Sequence, residues 1–133
     1  MLLLDTCAAI WIAESESLLA EPARNRIANA QTSLEVFLSP ITAWEIGLLA
    51  ALRRIELHLP MEKYIAEMFA KFQLALLTPR IALQSSFLPG ELHRDPADRM
   101  LVATAREMGM TLVTRDEKLL SYGRAGHVRT LVC

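Results

Sequence analysis

Four carboxylates stand where apolar runs give way to helix starts. They are Asp5 after Leu2-Leu3-Leu4, Glu45 in Ser39-Pro40-Ile41-Thr42-Ala43-Trp44-Glu45, Asp98 in Asp95-Pro96-Ala97-Asp98-Arg99, and Asp116 after Thr111-Leu112-Val113-Thr114-Arg115. Gathered on one edge they would form an acidic cluster. Two carboxylates at about 4 Å in an effective dielectric near 20 repel by roughly 4 kcal/mol, so such a cluster calls for protons or cations. All the donors are hard oxygens and no His or Cys set lies near them, which favours Mg²⁺ or Mn²⁺ over Zn²⁺.

The elements that must position these acids can be read from hydropathy and turn residues. Residues 1–5 read as a short buried strand and 6–13 as the helix leading away from it. A second helical stretch covers 17–34, broken or started near Pro22. Residues 34–38 have strand character, and Ser39-Pro40 then opens a helix running to about Arg53. Residues 60–72 carry helical spacing in Tyr64, Met68 and Phe72, and the apolar run 74–77 is closed by Pro79 as a third strand unit. Asp95-Pro96 starts a strongly periodic helix that ends at Gly109, with Met100, Leu101, Ala103, Thr104 and Met108 as its core stripe. A strand at 110–114, a short helix at 116–122 and a last strand at 128–132 complete the chain. This alternation specifies an α/β fold with a central parallel sheet flanked by helices on both faces. In such a sheet the strand ends and following helix starts share one rim, where ligands bind, so acids distant in sequence become neighbours.

With 133 residues, 53% of them hydrophobic, the chain suits one core and one domain, 1–133. Asp5 interrupts the apolar opening, no basic segment precedes it and Glu14 and Glu16 follow, which is unlike a signal peptide. No apolar stretch approaches the roughly 20 residues that span a bilayer. Two cysteines, Cys7 and Cys133, make neither a disulfide framework nor a Cys-rich zinc motif. A cytoplasmic protein without membrane attachment is expected. Net charge −1 gives no overall footprint for nucleic acid, so any polynucleotide must be met by local basic residues at Arg53-Arg54, His93-Arg94, Arg99, Arg115 and Arg124.

Each acid has a plainer explanation. Asp95 suits a helix cap with Pro96 at the first position and Asp98 facing the positive helix end; Thr42-Ala43-Trp44-Glu45 matches a capping box; Asp116 and Asp5 suit caps of their own helices. Caps alone would accept Ser, Thr or Asn, yet all four positions carry a carboxylate. Trp11 and Trp44 read as core or subunit contacts, His93 as a surface residue and Cys7 as a small buried one.

Leu2-Leu3-Leu4-Asp5-Thr6, Thr42-Ala43-Trp44-Glu45-Ile46, His93-Arg94-Asp95-Pro96-Ala97-Asp98-Arg99-Met100-Leu101 and Leu112-Val113-Thr114-Arg115-Asp116, with Tyr122-Gly123 downstream, resemble the PIN-domain ribonucleases. Within that family they resemble the VapC toxins of bacterial VapBC toxin–antitoxin modules. The resemblance runs nearly end to end, and the segment around Asp98 is its most specific part. It implies metal-binding and catalytic roles for Asp5, Glu45, Asp98 and Asp116, a supporting hydroxyl at Thr114, and Asp95 as a cap outside the metal set. It further implies an RNA substrate, a VapB-like antitoxin and a homodimer. A lysine usually follows the glutamate where this chain has Gly47-Leu48-Leu49.

The expected chemistry is hydrolysis of an RNA phosphodiester by a water activated on Mg²⁺ or Mn²⁺, with Asp5 and Asp98 as principal ligands. Glu45 and Asp116 would act directly or through water. A phosphohydrolase with an aspartyl nucleophile at Asp5 is the weaker enzymatic alternative, since such enzymes place a second Asp where Cys7 stands. The non-enzymatic alternative is an α/β interaction module whose acids are only caps.

Overall fold

The computed structural model describes residues 1–133. Five strands, β1 (Leu2–Leu4), β2 (Val36–Leu38), β3 (Gln73–Leu74), β4 (Thr111–Thr114) and β5 (Arg129–Val132), form one sheet in the order β3-β2-β1-β4-β5. All four pairings are parallel, with Leu2 opposite both Val36 and Thr111. Seven α-helices connect and cover the strands: α1 (Thr6–Glu14), α2 (Glu21–Thr32), α3 (Pro40–Ala51), α4 (Met61–Ala70), α5 (Pro79–Gln84), α6 (Pro96–Glu107) and α7 (Glu117–Arg124). The expected α/β class and parallel sheet are what the chain forms.

The central strand shows why its sequence is apolar throughout. Leu2 and Leu4 point into one core with Val36, Leu38, Ile46, Tyr64 and Met68. Leu3 points into the other with Leu101, Val102, Leu112 and Leu119. A strand buried on both faces has no use for polar alternation. The amphipathic α6 buries Leu101, Val102 and Ala105 against this second core.

Helix ends account for three sharp exits. In α6 the amide of Met110 bonds the Ala105 carbonyl at 2.8 Å, and Gly109 between them has φ 64°. The same 6→1 bond closes α2 (Glu35 N to Ala30 O, 2.9 Å) and α3 (Arg54 N to Leu49 O, 2.8 Å), but there the left-handed residues are Leu34 (φ 56°) and Arg53 (φ 55°). Side chains in that region cost about 1 kcal/mol or more relative to glycine.

Two expectations are corrected and one is refined. The helical stretch 17–34 divides near Pro22 as expected: a 3₁₀ turn, Glu16–Leu18, precedes α2, in whose first turn Pro22 sits. The third strand is only Gln73–Leu74, since Ala75 already turns away toward Thr78 and Pro79, the cap and first residue of the unexpected α5. Thr42 and Glu45 form no capping box: Ser39 caps α3, its hydroxyl accepting from Ile41 N at 3.2 Å, which leaves Thr42 one turn inside the helix.

Candidate metal centre

The strand order reverses direction at β1: β2 and β3 lie to one side, β4 and β5 to the other. Asp5 follows β1 and Asp116 follows β4, so the two acids flank this switch point at the carboxyl ends of adjacent strands, where open α/β sheets form their binding crevice. The Asp5 amide bonds the Val113 carbonyl at 3.0 Å and ties the two strand ends together.

Each acid is held by its own local bonds. Asp5 caps α1, with Oδ1 accepting from Ala8 N at 2.7 Å. Asp116 caps α7, with Oδ1 accepting from Lys118 N at 2.8 Å and Leu119 N at 3.2 Å. These caps occupy one carboxylate oxygen and leave the other available, so capping and ion binding do not compete. Thr114 is fully buried, and its hydroxyl accepts from Asp116 N at 3.0 Å while facing Asp5. Asp95, the cap of α6, accepts from Ala97 N at 2.9 Å and Asp98 N at 3.2 Å, which fixes Asp98 in the first turn. Glu45 lies in mid-helix and takes a bond from the Thr6 hydroxyl at 2.5 Å.

The Thr6–Glu45 bond joins the segments of Asp5 and Glu45, and the charges of Asp98 and Asp116 act on Asp5 from the other two. Burial pushes the Asp5 carboxyl up to about 6 against the pull of Thr114 and Ala8, with Asp98 and Asp116 adding repulsion. Burial pushes Glu45 up to about 7, opposed by Thr6 and reinforced by Asp98, Asp95 and Asp5. Asp98 is raised by burial, then by Asp95 and Asp116, while His93 pulls it back. No Lys or Arg forms an ion pair with any of Asp5, Glu45, Asp98 or Asp116.

The side chains as they stand do not bring three His, Cys, Asp or Glu groups onto one point that could hold an ion. Separate hydrogen bonds hold each carboxylate in its own place against their mutual repulsion, without chelation. A hydrated divalent cation suits such a set of hard oxygen donors, because Mg²⁺ keeps several waters and takes one or two carboxylates.

Several residues depart from their sequence readings. His93 is mostly buried and places Nε2 2.7 Å from Asp98 Oδ2. Arg99 reaches back to the Ser85, Leu92 and His93 carbonyls at 2.8, 3.0 and 3.3 Å, fixing the loop that carries this histidine. Arg115 lies over the Trp11 ring at 4.2 Å and donates to the Cys133 and Leu18 carbonyls. Arg99 and Arg115 are therefore staples within the chain. Cys7 is exposed rather than buried, because it sits on the outer side of α1's first turn; Trp44 is exposed, which excludes the core half of its reading as a core or subunit contact. The histidine five positions before Asp98 and the hydroxyl next to Asp5 were the available signals for His93 and Thr6.

The PIN domain family matches residues 2–125. Ribonuclease VapC22 of Mycobacterium tuberculosis (strain ATCC 25618 / H37Rv) is 32% identical over 120 residues, which is 90% of this chain and 90% of that protein. Among solved structures, VapBC2 from Rickettsia felis bound to a DNA fragment from its promoter is similar with a TM-score of 0.71 at 12% identity, across 98% of this chain and 97% of that one. FitAcB from Neisseria gonorrhoeae is similar with a TM-score of 0.57 at 26% identity, across 98% and 96%. At 12% identity the Rickettsia likeness speaks for the fold alone.

Proposed function

This chain belongs to the PIN-domain family and, within it, to the VapC ribonucleases, and from that premise we propose that Asp5, Glu45, Asp98 and Asp116 form the divalent-metal site at which it hydrolyses RNA. One observation carries the reading. Carboxylates from four separate segments converge at the switch point of the sheet, where Asp98 and Asp116 act on Asp5, and Asp98 and Asp5 on Glu45, with no lysine or arginine paired to neutralise them. Structural caps alone need no such convergence.

PIN-domain ribonucleases depend on a divalent metal, and the all-oxygen donor set favours Mg²⁺ or Mn²⁺ here. When bound, the ion supplies activation of a water and neutralisation of charge on the phosphate. Asp5 and Asp98 are the principal ligands: Asp5 is locked by its cap and by Thr114, Asp98 by His93 and its place in α6. Glu45 and Asp116 hold water at the rim. Glu45, whose carboxyl is pushed up to about 7, is suited to take up a proton at neutral pH. Thr6 and Thr114 orient the carboxylates beside them.

The biological role is that of the toxin in a VapBC toxin–antitoxin module, acting as an endoribonuclease in the cytoplasm, with residues 1–133 forming one PIN domain. No helix is long and apolar enough to cross a membrane. Trp44 and Leu48 on α3 and Leu52 at its C-cap, spaced four apart, are exposed. Such a stripe next to Glu45 suits cover by a VapB-like antitoxin or a second copy of the chain.

The deciding experiment is cleavage of total bacterial RNA by antitoxin-free protein with Mg²⁺ or Mn²⁺, beside an EDTA control and the Asp98→Asn variant. Cuts that need metal and vanish in the variant are the expected result. Undiminished cleavage in excess EDTA would overturn the metal mechanism.

A further inference from the structure

At the far end of the sheet from the acids, where β4 and β5 begin, lies a shallow cleft of about 770 Å³ lined by Arg26, Arg106, Arg124, Arg129 and His127. No carboxylate lines it. The four arginines come from four separate elements, α2, α6, α7 and β5, and all are exposed. Four of the chain's 14 basic residues therefore meet in one place on a protein of net charge −1.

Part of this arrangement serves the fold. Arg106 and Arg124 lie in the last turns of their helices, where a cation complements the negative helix end. Arg106 donates to the His127 carbonyl, Arg129 to the Gly109 carbonyl, and Arg124 pairs with Glu117 on the surface. Each of these contacts uses only part of a five-donor guanidinium. Arg26 makes no hydrogen bond or ion pair, and it faces the other three without a counter-charge. Planar guanidinium forks match phosphate oxygens in charge and geometry.

We propose that this cleft is an RNA exosite that binds phosphates of the strand flanking the cleavage point; the inference rests on the ribonuclease reading above. The acidic rim repels a polyanion wherever it is not screened by cations, so attraction has to come from elsewhere on the surface. β5 is an edge strand, with Arg129 and Val132 exposed at its two ends and Thr130 and Leu131 half-buried between them, and it runs from the cleft toward the acidic rim. Along its four residues this path is roughly 10 Å long. RNA engaged at the rim can pass over that edge to the arginines, while an oligonucleotide confined to the rim cannot.

The test uses Arg26→Gln/Arg124→Gln, which spares the two arginines that bond backbone carbonyls, and the charge reversal Arg26→Glu as a second variant. Binding of a long single-stranded RNA is measured in EDTA across a salt series. Loss of two phosphate contacts lowers the slope of log K against log salt by about 1.4, and weakens binding about 25-fold at 0.1 M salt if the lines meet at 1 M. With Mg²⁺ or Mn²⁺, the double variant should raise KM for the long RNA and leave cleavage of a short oligonucleotide unchanged. If wild type cleaves both lengths and the variants match it in KM and salt slope, the exosite is wrong while the ribonuclease reading stands. If wild type binds long RNA through these arginines yet cleaves nothing, the ribonuclease reading falls and the cleft's role as an exosite falls with it, leaving only an RNA-binding surface. Unchanged RNA binding together with weakened binding of poly-glutamate would assign the cleft to an acidic protein segment and overturn the proposal.

Discussion

The His93 imidazole and the Asp98 carboxylate, on opposite sides of the Asp95 cap, are joined by a 2.7 Å contact between Nε2 and Oδ2. The other ring nitrogen, Nδ1, is buried without a partner. The ring's one side-chain partner is therefore the Asp98 carboxylate, to which Nε2–H donates. The loop that carries the ring is in turn pinned by Arg99, the residue after Asp98.

Removing that donor should weaken ion binding without touching a ligand. His93→Phe is expected to lower Mn²⁺ affinity by about tenfold, with His93→Gln, which keeps a donor, recovering part of it. Isothermal titration with Mn²⁺ measures this directly. Equal affinities in all three proteins would show that the histidine plays no part in aiming Asp98.

The metal-free protein should lose stability as pH rises. Asp5 at about 6 and Glu45 at about 7 hold protons in the folded chain that the unfolded chain has already released. Their favourable contribution is complete below about pH 4 and disappears as pH rises through their folded values. For Asp5, which is only 6% exposed, the raised value corresponds to about 3 kcal/mol. Melting in EDTA should therefore occur at lower temperature at pH 8 than at pH 5, and Mn²⁺ should narrow the gap. Identical melting at the two pH values would contradict the burial of these charges.

Neutralising an acid should exchange function for stability. Asp5→Asn keeps an oxygen to accept from Ala8 N and removes the buried charge. We expect the metal-free variant to gain about 1–3 kcal/mol at pH 8 and to lose both cleavage and the rise in Tm on adding Mn²⁺. Chemical denaturation in EDTA reports the first and calorimetry with Mn²⁺ the second. A destabilised variant would contradict the cost assigned to the buried Asp5 charge, since asparagine caps a helix as well as aspartate does.

A change remote from the site tests the helix exits. Leu34 is 68% exposed and occupies the left-handed position that closes α2. Leu34→Gly should stabilise the protein by about 0.5–1 kcal/mol, the relief of strain exceeding the added freedom of the unfolded chain. Urea unfolding should show a shifted midpoint with an unchanged slope, and a lower midpoint would refute the assignment of strain.

Local chemistry made the elements around the acids legible. Leu2-Leu3-Leu4 before Asp5 and Thr111-Leu112-Val113-Thr114 before Asp116 are apolar runs with a cap at the end, and Asp95-Pro96 admits little but a helix start. Glu45 was readable as an acid in a helix but not in its orientation, since Thr6, its partner, lies 39 residues away in sequence. Cys7 was misread, and Trp44 was left between core and subunit contact, because an apolar type says nothing about which side of a short helix faces outward. β3 is two residues long, below the length at which periodicity carries information. His93 resembled a loop histidine because its significance comes from Arg99 folding the loop back over α6.

Leu2 pairs with Thr111, so the central strand waits for a partner from the far end of the chain. Contacts of such high sequence separation form late, because loop closure is paid before the pairing rewards it. A growing polypeptide that has not yet delivered β4 and α7 has Asp5 without Asp116 and no crevice between them. The order of the strands thus acts as a timer, withholding an intact acidic rim from every partly made copy until synthesis has passed Asp116.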